Sequence, residues 1–147
     1  MKTELARQLR SDEGVKPCVY KDHLGFDTIG IGRLVDSRKT GAGLRPDEMT
    51  YLLNNDIDDR IDALTRRLPW FYLLDPARQG VLLNMSFQLG VAGLLGFANT
   101  LEMVRQGKWS EAADNMLLSK WAKQTPERAQ RMAKQMKTGV WQYAEGA

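Results

Sequence analysis

Apolar residues recur along this chain with two periods, and the change from one to the other divides it. Leu5, Ala6 and Leu9 share a helical face, which predicts a first helix over about Thr3 to Asp12, with Gly14 just past its end. Pro17 forbids its continuation. Val19-Tyr20 and Thr28-Ile29-Gly30-Ile31 read as short strands joined through Asp22-His23-Leu24-Gly25. Val35 to Gly43, rich in Gly, Ser and charge, reads as a loop or a weak third strand. From Pro46 the period is helical. Met49, Leu52, Leu53, Ile57, Ile61, Leu64 and Leu68 form an apolar stripe, with Asp47 and Glu48 in the first turn and Pro69 as the stop. A helix of that length, about 30 Å, is able to link two lobes.

Asp75-Pro76 repeats the cap-plus-first-turn signal. Gly80 to Leu89 is apolar on nearly every side apart from Asn84, Ser86 and Gln88, and is expected to be a buried central helix. Gly90, Gly93 and Gly96 mark a turn or a very short helix. Two short helices fit Thr100–Arg105 and Ser110–Leu118. Thr125-Pro126-Glu127 opens the next helix, carried by Ala129, Met132, Ala133 and Met136. Met85, Met132 and Met136 are expected in the core. The expected fold class is α+β: a small β-containing lobe early, then a helical lobe.

At 147 residues and 43% hydrophobic, the chain suits one domain or two small lobes. Its net charge of +3 is unevenly placed. Residues 1–67 carry 12 Lys/Arg and 12 Asp/Glu, whereas residues 68–147 carry 9 and 6. Lys120, Lys123, Arg128, Arg131, Lys134 and Lys137 face one acid, Glu127. Such a surface suits an anionic partner, or is simply a solvated helix face. A basic helical nucleic-acid-binding module would use these residues but leaves the early strands unexplained. The N-terminal run is broken by charges, so neither a signal peptide nor a membrane anchor is expected there, and no window approaches a spanning helix.

Cys18 is the one cysteine and His23 the one histidine. An internal disulfide is excluded, and folding in a reducing compartment is expected. A thiol–imidazole nucleophile is one reading of the pair. A lone cysteine is more commonly a small buried hydrophobe, and two such ligands make a poor zinc site. No metal and no cofactor are expected. Glu13 and Asp22 are candidates for the paired carboxylates of hydrolytic acid–base chemistry, with Thr28 orienting water. With 18 acids in the chain, any one such pair is equally readable as surface charge.

The order of these residues narrows the choice. Asp12-Glu13-Gly14, Tyr20-Lys21-Asp22, Gly25 and Thr28-Ile29-Gly30-Ile31-Gly32 resemble the catalytic signature of the T4-type phage lysozymes, glycoside hydrolase family 24. Eight residues separate Glu13 from Asp22 and five separate Asp22 from Thr28, as in that signature. Asn84 to Gly90, Gly96 to Leu101, Trp109 to Asn115, Trp121 to Ala129 with Arg131, and Thr138 to Trp141 resemble its later blocks, in order. The sequence departs from the pattern at Arg33, where histidine is common, and in a short Leu34–Gly43 segment. An ion pair between Arg33 and Asp56 on the long helix is expected.

The resemblance implies a two-lobed lysozyme-like fold. The small lobe would cover about 13–56, the helical lobe about 1–12 and 68–147, and the linking helix about 46–67. It implies hydrolysis of the β-1,4 bond between N-acetylmuramic acid and N-acetylglucosamine in bacterial peptidoglycan. Glu13 would be the general acid, Asp22 the ionised carboxylate that activates water or stabilises the transition state, and Thr28 a holder of that water. Arg128 would position Glu13. Leu34 and Phe87 would line the cleft, Thr100 and Asn115 would hydrogen-bond sugar or peptide, and Gln88 and Trp121 are further binding candidates. For Phe87 and Trp121 core packing is the competing role. A lytic transglycosylase would cut the same bond without water; the presence of both Asp22 and Thr28 favours hydrolysis. The implied setting is a monomeric phage endolysin, bound to peptidoglycan and not to nucleic acid or stably to membrane. It would be held in the host cytoplasm until a separate membrane-permeabilising protein releases it.

Overall fold

The computed structural model describes residues 2–13, 15–21, 25, 27–30, 33–35 and 43–144, with the backbone alone for residues 2, 5, 9, 11–13 and 34. The fold is α+β, and the chain divides into two compact units, Met1–Asn54 and Asn55–Ala147.

The first unit opens with helix α1, Lys2–Glu13, and continues into three antiparallel strands, β1 Lys16–Lys21, β2 Asp27–Gly30 and β3 Arg33–Leu34, in the order β1-β2-β3. Pro17 falls where the β1–β2 register is irregular, between the Lys16↔Gly30 and Tyr20↔Thr28 pairs. Without an N–H it cannot serve a regular ladder. The short hairpin is pinned at its other end by the Lys21↔Asp27 pair, whose side chains form an ion pair. The third strand, two residues long, lies just ahead of the Val35–Gly43 stretch read as a loop or weak strand; of that stretch, residues 36–42 lie outside the described set.

Helix α2, Pro46–Arg67, has the boundaries that its proline, its acidic first turn and its apolar stripe dictate. Its 22 residues span about 33 Å. Glu48 reaches back to the backbone N–H of Arg45 at 3.0 Å, half of a capping box. This anchors its carboxylate, and Arg33 pairs with it. The expected Arg33–Asp56 pair is thereby corrected: Glu48, already fixed at the helix start, takes the guanidinium. Together the Arg45 N–H and Arg33 hold the Glu48 carboxyl below the usual carboxylate range.

The second unit is helical. After Leu68 and a 3₁₀ turn at Phe71–Leu73 come α3 Pro76–Leu95, α4 Ala98–Arg105, α5 Trp109–Leu117, α6 Lys120–Gln124 and α7 Pro126–Thr138. Asp75 caps α3, accepting the Arg78 N–H at 3.2 Å. α3 runs further than the apolar stretch suggested, but not unbroken. Gly90 takes φ 75°, ψ 164°, which interrupts the helical ladder before a final turn. A bend of 102° then leads into α4.

Leu64, Leu68, Phe71, Val81, Leu82, Met85, Leu94, Val104, Met116, Met132 and Met136 form one buried core. The three methionines expected inside are inside. α5 packs on α4 and α7, and α7 also touches α3 and α6. Arg78 ties the ends of this unit together. It stacks over Trp109 at 4.2 Å and donates to the carbonyls of Met136, at 2.7 Å, and Lys137, at 3.2 Å. Those are the last carbonyls of α7, which lack helical partners.

Candidate functional site

In the first unit, α1 ends at Glu13, whose side chain lies outside the described residues, as does Asp22 entirely. Thr28 is the described member of the acid–base set. It lies on the middle strand, 2% exposed. Its register partners are Tyr20 on one side and Leu34 on the other. Two residues named from the sequence, Thr28 and Leu34, are therefore register partners on neighbouring strands. The buried hydroxyl is held rigidly by a strand bonded on both edges, which suits a group whose task is orientation. His23 is outside the described residues. Cys18 is exposed, which corrects the expectation that it would be buried: it lies on β1, the outer strand of a small sheet.

In the second unit, α3 gathers most of the remaining candidates. Asn84, Phe87 and Gln88 are spaced three and four apart, so they share one helical face. Each is met by a different helix. Arg128 of α7 donates from Nε to Asn84 Oδ1 at 2.9 Å and from Nη2 to the Asn84 carbonyl at 3.3 Å. Trp121 of α6 donates from Nε1 to Gln88 Oε1 at 2.8 Å. The Arg60 guanidinium of α2 lies over the Phe87 ring, 5.1 Å from its centre.

Trp121 belongs both to the core and to a cavity wall. It is 4% exposed and packs edge-on against Phe97, with ring centres 6.0 Å apart. It also lines a cavity of about 580 Å³ together with Phe97, Asn99, Thr100, Asn115 and Lys120. Thr100 Oγ1 donates to Asn115 Oδ1 at 2.6 Å, so these two predicted partners meet each other in the cavity wall. Thr100 is 2% exposed and spends its proton on Asn115. Asn115 is half-buried, and the bond to Thr100 uses its amide oxygen and leaves its amide N–H donors unspent. Apolar walls with a few convergent polar groups describe a small-ligand or oligomer subsite.

Sequence reasoning missed Asn84 and Arg60. The Asn84–Phe87–Gln88 spacing on one helix face was a usable signal for the first. Arg60 gave none, because a cation on a helix rich in aspartate reads as a surface charge. Among the described residues no cluster of His, Cys, Asp and Glu has the form of a metal site.

Comparison with known proteins bears on this arrangement. Residues 10–142 match the family model described as phage lysozyme. The chain is 31% identical over 165 residues to a probable T4-type lysozyme of Dictyostelium discoideum, across 95% of this chain and 97% of that one. It is 28% identical over 127 residues to the endolysin of Salmonella phage P22, across 82% and 83% of the two chains. A peptidoglycan hydrolase of Pseudomonas phage phiKMV is 27% identical over 132 residues, 88% of this chain and 15% of that longer protein.

Proposed function

The chain belongs to the phage lysozyme family and is a lysozyme that hydrolyses peptidoglycan, and from that premise we propose that it is an inverting N-acetylmuramidase used for host lysis. The bond cut is the β-1,4 link from N-acetylmuramic acid to N-acetylglucosamine. Glu13 donates its proton to the leaving glycosidic oxygen. Asp22, ionised, takes a proton from the water that adds to the anomeric carbon from the opposite face. Thr28 orients that water. An inverting reaction needs room for water between the carboxyls, about 6.5–9.5 Å, whereas a retaining one brings them to about 5–5.5 Å.

The observation that supports this most directly is Thr28. It is a buried hydroxyl on the middle strand, directly opposite Leu34 and six residues after Asp22 in the chain. The helical unit contributes the subsite at Thr100, Asn115 and Trp121, where sugar or peptide would be bound. In this reading the enzyme waits in the host cytoplasm and reaches the wall once a separate membrane-permeabilising protein has acted.

The test is release of reducing ends from purified peptidoglycan, with NMR of the first anomer formed. Wild type is expected to give the α-anomer, and Glu13→Gln to lose at least about 10²-fold in rate, the lower end for general acid catalysis. Near-normal activity in Glu13→Gln would overturn the acid assignment. The β-anomer would overturn inversion. Products lighter by one water, with 1,6-anhydro ends, would identify a transglycosylase.

A further inference from the structure

Resting on that reading, we infer that Arg60 is a substrate-binding residue that holds a carboxylate of the peptidoglycan stem peptide. Arg60 and Leu64 are four apart on α2 and share a face, and Leu64 is completely buried in the core of the second unit. Arg60 is thereby directed toward α3, where its guanidinium covers the Phe87 ring at 5.1 Å. α2 also carries Asp56, Asp58, Asp59 and Asp62, yet among the described residues Arg60 makes no ion pair and no hydrogen bond. Its hold on the protein is the ring alone. A cation over a ring face gives none of its N–H donors an acceptor oxygen, so they stay available.

Arg128 supplies the contrast. It meets the same face of α3 one turn away, and two of its donor nitrogens are spent on Asn84. Two of the Arg128 nitrogens are thus engaged on α3, while the donors of Arg60 are unspent among the described residues. A half-buried guanidinium with open donors fits a carboxylate, which it can grip through two parallel hydrogen bonds. The glycan backbone of peptidoglycan bears no carboxylate once its lactyl group is amide-linked. The acidic groups of the strand are on the stem peptide, so the stem is the part of the substrate this residue recognises. Gln88, next to Phe87 in the chain, and Trp121 bonded to it extend the same surface toward the cavity at Thr100 and Asn115.

The experiment compares three soluble peptidoglycan preparations: native, carboxyl-amidated by carbodiimide and ammonia, and stripped of stem peptides by an amidase. The full chain is assayed as wild type, Arg60→Gln and Arg60→Lys, with kcat and KM measured separately. Wild type is expected to show a KM about fivefold higher on amidated or stripped substrate than on native, the scale of one part-exposed charge pair. In Arg60→Gln that preference falls to about one, through a higher KM on native substrate. Arg60→Lys keeps the charge without the fork and falls between. A merely structural role would raise KM equally on all three substrates, and this result overturns the inference. So does a wild type indifferent to amidation, which needs no variant to fold. If wild type releases no reducing ends from any preparation, it is the muramidase reading itself that fails.

Discussion

Gln135 is 1% exposed and makes two bonds that nothing else in its surroundings replaces. Its Nε2 donates to the Ala77 carbonyl at 2.7 Å, and its Oε1 accepts the Gln142 N–H at 3.0 Å. One amide thus joins α7 to the first turn of α3 and to the C-terminal tail. Gln135→Leu keeps the volume and removes both bonds. Ala77 is itself buried, so its carbonyl cannot replace the lost donor with water; it keeps its place in the α3 ladder, and the loss is that of one hydrogen bond, about 0.5–1.5 kcal/mol. Gln142 is half-buried and can recover a water bond, so its loss is nearer about 0.5–1 kcal/mol. The gain from placing leucine there offsets part of this, on the order of 1 kcal/mol. The net expectation is a loss of about 1 kcal/mol. Urea unfolding of the full chain measures it, and a thermal midpoint lower by about 2–4 °C accompanies it. The tail should also become cleavable near Val140 to Tyr143 in limited proteolysis, because Trp141 packs over Gly80 only while the tail is held. A loss under about 0.5 kcal/mol, with no change in cleavage, would refute the claim that this amide clamps the tail.

Gly139 ends α7 at φ 70°, and an added Cβ would stand 2.9 Å from Arg78 Nη1. Gly139→Ala should therefore cost more than the about 1–2 kcal/mol of a left-handed alanine, because Arg78 must also yield its carbonyl bonds; calorimetry checks this. Hydrogen bonds from Arg105 and then Gln106 lower the Glu102 pKa to about 2. The stability this contributes is complete above the ordinary value of 4.5 and is lost as pH falls toward about 2. Glu102→Gln should unfold with a shallower dependence on pH across that window, and unchanged acid sensitivity would count against it. Glu48→Gln should weaken the first unit more than Asp56→Asn at neutral pH, measured by hydrogen exchange over β3 and the first turn of α2, because Glu48 receives both Arg33 and the Arg45 N–H.

Local rules were enough wherever a signal and its consequence lie within a few residues. Pro46 at a first turn, acids beside it and Pro69 beyond determined α2 to the residue. Asp75-Pro76 and Pro126 set the starts of α3 and α7 in the same way. The order Glu13, Asp22, Thr28 and the later blocks identified the family, because a catalytic signature is itself a matter of spacing. α6, five residues between Ser119 and Thr125, is too short to show a period, and it was legible only as a block around Trp121 that resembles the family's. Tertiary structure decided the pairings. Arg33 had several acids within chain reach, and the one already fastened to a helix start took it. Arg60 had four aspartates within a turn of it on its own helix and met a ring from another. Thr100 and Asn115, named separately as ligands for substrate, turn out to bond each other, and Gln88 and Trp121 do likewise. The physical reason is common to all of these. Element boundaries follow from backbone preferences that each residue carries with it. A side chain's partner depends on which surfaces the core brings together, and no spacing along the chain encodes that.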